Sequence, residues 1–219
     1  MGIRGKFEGD LHVLHTMVME LGDMAIESIN LAFEGLKHQD IDKALSVIEN
    51  DEKADDLEEE INDFAIMLLT KQQPVAIDLR KITTVLKISS DLERIADYAV
   101  NIAKAAIRIG EKRVITSFDL LEEMHSRSID MVRLALRAYD AEDLAEAKKV
   151  ATMDDEVDAL YGNMMRTLMQ LVPNHQEEIG QIMQLTFITR YFERIADYAT
   201  NISENTFYLV KGRRYTFNE

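Results

Sequence analysis

The chain has 219 residues, no cysteine, and 25 Lys and Arg against 40 Asp and Glu, a formal charge of −15. That charge repels nucleic-acid phosphates, so DNA and RNA are not expected partners; without cysteine there is no disulfide scaffold, thiolate metal site or cysteine nucleophile. With 47% hydrophobic residues, two prolines and nine glycines, the composition favours long helices around a sizeable core.

The opening stretch, Met1 to Asp10, is polar and lacks the apolar centre of a signal peptide, which suits a cytoplasmic location. Apolar runs such as Phe64 to Leu69 fall far short of the roughly 20 residues a membrane span needs. Helices are predicted over residues 8–38, 41–71 and 75–109. Ala54, Leu57, Ile61, Phe64 and Leu68 step by three and four, as a core-facing stripe does. Val75, Leu79, Ile82 and Leu86 predict the same for the third helix, with Pro74 in its first turn and Gly110 as its stop.

The pattern then repeats. Glu93-Arg94-Ile95-Ala96-Asp97-Tyr98-Ala99 recurs as Glu193-Arg194-Ile195-Ala196-Asp197-Tyr198-Ala199, followed by Asn101-Ile102 and Asn201-Ile202. Ser28 matches Ser128, Asp40 matches Asp140, and Pro74 and Gly110 match Pro173 and Gly212. The predicted fold is therefore all-α, two pseudo-symmetric three-helix bundles with six long helices, from an internal duplication. The halves are placed at 1–112 and 113–219, and Asp40 and Asp140 are the expected N-caps of the two middle helices.

The sharpest chemical feature is a column of oxygen-bearing side chains, Glu93, Asp97 and Asn101, matched by Glu193, Asp197 and Asn201. Spacing of four stacks each set along one helix edge, beside the apolar Leu92, Ala96, Ala99 and Ala103. The middle helices carry Asp51 with Asp55 and Asp154 with Asp158. If middle and last helices are neighbours, each half gathers four carboxylates whose repulsion asks for arginines or bound cations. Oxygen donors suit hard divalent or trivalent ions such as iron, manganese or magnesium, singly or in a multinuclear group, and disfavour tetrahedral zinc. A solvated acidic face paired with Arg94 and Arg194 is the plainer alternative. The histidines (His12, His15, His38, His125, His175) are read as surface or core residues, and methionines such as Met164, Met165 and Met169 as core filler.

Gln72-Gln73-Pro74-Val75-Ala76-Ile77-Asp78-Leu79-Arg80, followed by Asp91 to Ala103 and again by Phe192 to Ile202, resembles the signature of the PhoU family over nearly the whole chain. That resemblance implies two pseudo-symmetric bundles and metal clusters held by Asp51, Asp55, Glu93 and Asp97 and by Asp154, Asp158, Glu193 and Asp197. It also implies a cytoplasmic adaptor without enzymatic activity, restraining phosphate uptake and phosphate-starvation signalling. Its expected partners are the ATPase subunit of the phosphate ABC transporter and the phosphate-sensing histidine kinase. Membrane association would come only through those partners, and a homodimer is expected. The second repeat departs from the signature at Val172-Pro173-Asn174-His175-Gln176, so contacts of the first-repeat loop need not be duplicated. The competing class is a ferritin-like, carboxylate-bridged metalloenzyme, whose Glu-x-x-His pairs point into a bundle core; the acidic columns here contain no histidine.

Overall fold

The computed structural model describes residues 3–72, 74–111 and 114–217. Six long helices account for the fold: α1 (Ile3–His38), α2 (Ile41–Gln72), α3 (Ile77–Ile109), α4 (Asp119–Asp140), α5 (Leu144–Leu171) and α6 (Ile179–Lys211). Two single 3₁₀ turns, Val172–Asn174 and Gln176–Glu178, link α5 to α6, and no strand occurs among the described residues. α1, α2 and α3 pack on one another, as do α4, α5 and α6. The boundary placed between residues 112 and 113 lies outside the described residues.

The stripes read from sequence hold along most of their length. Ala54, Ile61 and Leu68 are buried on α2, as are Ile82, Leu92, Ala96, Ala99 and Ala103 on α3. Their continuous core runs through both bundles. Three details differ. α3 begins at Ile77, so Pro74 precedes it rather than occupying its first turn. Val75 and Leu79 are exposed at 72% and 42%, and the buried stripe starts only at Ile82. Met164 is core, but Met169 is exposed.

The N-caps show where the duplication slips. Asp40 caps α2, its Oδ1 accepting from the Lys43 N–H at 3.0 Å. Its counterpart is Asp143, not Asp140: Asp143 Oδ1 accepts from the N–H groups of Ala145 and Glu146 at 2.7 and 3.2 Å. The preceding turn is the same in both places. Gln39 and Glu142 take φ of 53° and 51°, and Asp40 N–H donates to Gly35 O as Asp143 N–H donates to Ala138 O, both at 2.9 Å. The turn after α4 thus falls three residues later than a repeat spacing of 100 allows, and Asp140 becomes the last residue of α4.

The bundles meet chiefly along α3 and α6, with α1 touching α4. Lys87 lies over Tyr208 at 5.5 Å, Asp91 meets Asn205, and the Tyr98 ring is 6.0 Å from Tyr198. Residue numbers rise on one helix as they fall on the other, so the helices are antiparallel. Equivalent tyrosines meet each other, which places a pseudo-twofold axis between Tyr98 and Tyr198. Gly22 permits the close approach of α1 to α4: a Cβ there would stand 2.6 Å from Leu136 Cδ1.

Candidate functional site

α2 lies beside α3 and α5 beside α6, so the acidic pairs of the middle helices approach the columns of the last helices. In the first half, Asp51, Asp55, Glu93 and Asp97 come together. Burial and then the charges of Asp55 and Asp97 raise the pKa of Asp51. Burial, then Asp97, raises that of Glu93, with Asp55 and Glu58 adding to it. Glu58 escaped the sequence reading, although it lies seven residues past Asp51 and three past Asp55, on the same helical face.

The second half forms a similar group from Asp158, Glu193 and Asp197. Burial raises Asp158, with Asp197 and Asp155 contributing. Burial and then Asp197 raise Glu193. Asp154 is 5% exposed, the most buried carboxylate of the expected set. Asn101 is half-buried. Asn201 is exposed and lines a separate cavity with Asp91 and Glu204; two further steps of four residues turn a column by about 80°, away from its starting face.

Arginines offset part of the charge, unequally. Arg94 Nη1 donates to Asp97 Oδ2 at 3.0 Å and its Nε lies 3.5 Å from Glu93 Oε2. Arg194 repeats the first contact at 2.9 Å. The second half adds Arg190, which donates to Glu193 Oε1 and lies over the Tyr161 ring at 5.8 Å. Ser90 occupies the corresponding position in the first half, so that cluster has less arginine.

Among the described residues, no three carboxylates or histidines converge closely enough to hold a metal ion as they stand. The donor set nevertheless suits a hard cation. Its members are oxygens, several carboxyl groups are held in repulsive proximity, and Glu193 Oε2 is buried without a hydrogen bond. One Glu-x-x-His pair exists, Glu122 and His125, but its members serve packing. Glu122 Oε1 pairs with Lys37 Nζ at 3.0 Å. The His125 ring stacks on Phe33 at 4.3 Å, and its Nε2 meets Asn30 Oδ1 at 3.0 Å. No described helix is long and apolar enough to cross a membrane.

Comparisons with known proteins agree on one family. The PhoU domain model matches residues 18–106 and 121–206, one match in each half. A phosphate-specific transport system accessory protein PhoU homolog from Clostridium acetobutylicum is 38% identical, over 99% of both chains. The PhoU protein of Escherichia coli is 32% identical over 97% of this chain and 88% of its own. Among solved structures, PhoU from Pseudomonas aeruginosa superposes with a TM-score of 0.91 at 30% identity, covering 94% of this chain and all of that one. The phosphate transport system regulatory protein PhoU from Streptococcus pneumoniae gives 0.89 at 28% identity, covering 95% and 99%. Sequence, duplication and fold therefore converge, and the chain belongs to the PhoU family.

Proposed function

We propose that this protein is a cytoplasmic, non-enzymatic negative regulator of phosphate uptake and phosphate-starvation signalling. In this reading it joins the ATPase subunit of a phosphate ABC transporter to a phosphate-sensing histidine kinase and holds both inhibited when phosphate is abundant. The carrying observation is near-full-length similarity to proteins named as accessory to the phosphate-specific transport system. The long helices suit the role, since a stable interface buries about 1,200–2,000 Å², more area than a small-molecule pocket supplies. The charge of −15 steers the protein toward basic partner surfaces and makes binding salt-sensitive. A homodimer is part of the same reading.

Each half also binds cations in this proposal. Asp51, Asp55, Glu93 and Asp97, with Asn101 below, hold one group; Asp154, Asp158, Glu193 and Asp197 hold the other. Iron, manganese or magnesium, singly or as a multinuclear cluster, matches the oxygen donors. Such a cation would offset both the burial and, after it, the repulsion that raise Glu93 and Glu193.

The test is binding of the purified protein to each partner at low and high salt, with and without chelator, beside phosphate-uptake measurements in a deletion strain. Expected results are salt-weakened binding to both partners and phosphate import that no longer shuts off. Absence of binding under every condition, together with normal phosphate control, would remove the adaptor reading.

A further inference from the structure

The two halves diverge where α6 faces away from the core. Residues 79–92 of α3 include Arg80, Lys81, Lys87 and Asp91, whereas the equivalent residues 179–192 of α6 include Arg190 as their only charge. Position by position, Arg80, Thr83, Lys87 and Asp91 give way to Gly180, Met183, Phe187 and Tyr191. The change does not come with burial: Ile179, Met183 and Phe187 are exposed at 47%, 51% and 42%. Spacing of four stacks these three in one column, on the side of α6 opposite the buried Ile182, Leu185, Ile188 and Phe192.

The column has firm backing. Phe187 stacks on Tyr191 at 6.5 Å, and Tyr191 lies 5.6 Å from Tyr98 at the seam of the two bundles. Arg190 is engaged within the chain, donating to Glu193 Oε1 and lying over the Tyr161 ring. The edge of α5 that carries Asp158 carries Met169 three turns later, and Met169 is exposed too. An acidic molecule thus presents an apolar strip whose one charge already has its partners.

Net charge bears on what covers this strip. At −15, two copies of the chain repel each other over most of their surface, and contact between them is least opposed where carboxylates are missing. A basic partner gains most on the acidic surfaces and least here. The order of the side chains also suits a second copy. When two α6 helices cross antiparallel, the column pairs with itself, with Met183 on the twofold axis and Ile179 of one copy against Phe187 of the other. Residues 179–192 span about 20 Å at 1.5 Å per residue. A contact of that length buries less than the ~800 Å² per partner of a stable interface, so the dimer should dissociate on dilution. Lys87 and Asp91 deny the first half an equal strip, so association closes at two chains.

We propose that the outward face of α6 around Met183 is a homodimer interface, an inference that rests on the homodimer in the proposed function and assigns its face. The test is sedimentation equilibrium of the full chain from about 1 to 200 μM, a range that brackets a micromolar dissociation constant. The expected mass rises toward twice the 25.1 kDa of one chain. Higher salt should strengthen the dimer by screening the repulsion, the reverse of its effect on binding to basic partners. Met183→Glu sets two carboxylates face to face across the axis and should weaken the dimer at least about tenfold. Thr83→Glu, the same change at the equivalent place in the first half, should not. Because the chain has no cysteine, a single Met183→Cys variant should give a disulfide-linked dimer on mild oxidation, and Thr83→Cys should not. A chain that is monomeric at every concentration overturns the proposal together with the homodimer itself; if Met183→Glu then also abolishes binding to the transporter ATPase, the strip belongs to that partner. A dimer that Met183→Glu leaves intact, or that Thr83→Cys links as readily as Met183→Cys, overturns the assignment of the face while the homodimer stands.

Discussion

Two half-buried titratable residues set opposing pH dependences. Asp91 on α3 is raised to about 7, mainly by burial, despite Lys87 and the Asn205 amide that reaches its Oδ2 at 3.3 Å. Between pH 3.8 and 7 the folded protein keeps a proton that the unfolded chain has lost. Stability tied to Asp91 therefore falls as pH rises through that window and is level above it. His125 is lowered to about 4, again mainly by burial. Between pH 4 and 6.5 the unfolded chain gains a proton that the folded protein refuses, so stability tied to His125 is lost as pH falls through that range. Urea midpoints from pH 4 to 8 should separate the two. Asp91→Asn should remove the alkaline-side loss and stabilise the protein at pH 8, by on the order of 1–3 kcal/mol. His125→Gln should flatten the acid-side loss. Unchanged slopes in either variant would show that these environments relax to admit the charge.

At the scale of the helix, caps and ends allow a comparison inside one molecule. α3 and α6 end at equivalent glycines with φ of 69° and 68°. Each caps its helix through its own N–H, Gly110 to Ala106 O and Gly212 to Tyr208 O. Their conformations differ in ψ. Gly212 is left-handed at ψ 15°, where alanine costs about 1 kcal/mol, and the Arg80 guanidinium tip that a Cβ there would meet can swing aside. Gly110 has ψ −157°, a region almost closed to residues with a side chain. Chemical denaturation should therefore find Gly110→Ala the more costly of the two. Asp143→Ala should cost about 1 kcal/mol through loss of the α5 cap. Asp140→Ala leaves that cap intact and removes only the His15 contact.

Over the whole molecule, the antiparallel seam of α3 and α6 joins two carboxylate clusters that are alike in plan and unequal in charge. Arg190 adds a positive partner in the second half, where the first half has Ser90. Metal content after purification with manganese or iron should fall by about half in Asp97→Ala if the clusters load independently, and the remainder should vanish when Asp197→Ala is added. Both clusters should release metal as pH drops, because protons compete for carboxylates whose pKa values are already raised. Unchanged metal content in both variants would leave these residues as an arginine-paired, solvated face.

The sequence by itself determined what depends on neighbours along one helix: the six helices, the duplication, the Asp40 cap and the glycine stops. Periods of three and four and the geometry of a single turn are local, so Ile61 and Leu92 could be placed in the core directly. The faces of α2 and α3 were legible too, because spacing of four stacks Asp51 with Asp55 and Glu93 with Asp97 whatever the helices touch. The rotation and axial register of one helix against another were left open, and there the tertiary structure decided. It moved the second cap from Asp140 to Asp143, because the turn that follows α4 falls three residues later in the repeat than the turn that follows α1. It buried Asp154, sent Asn201 to another cavity, drew Glu58 and Arg190 into the clusters, and left Val75 in solvent. It alone brought His15, Tyr139 and Asp140 around one cavity, since 125 residues separate the partners of the His15–Asp140 contact and no local periodicity spans that distance.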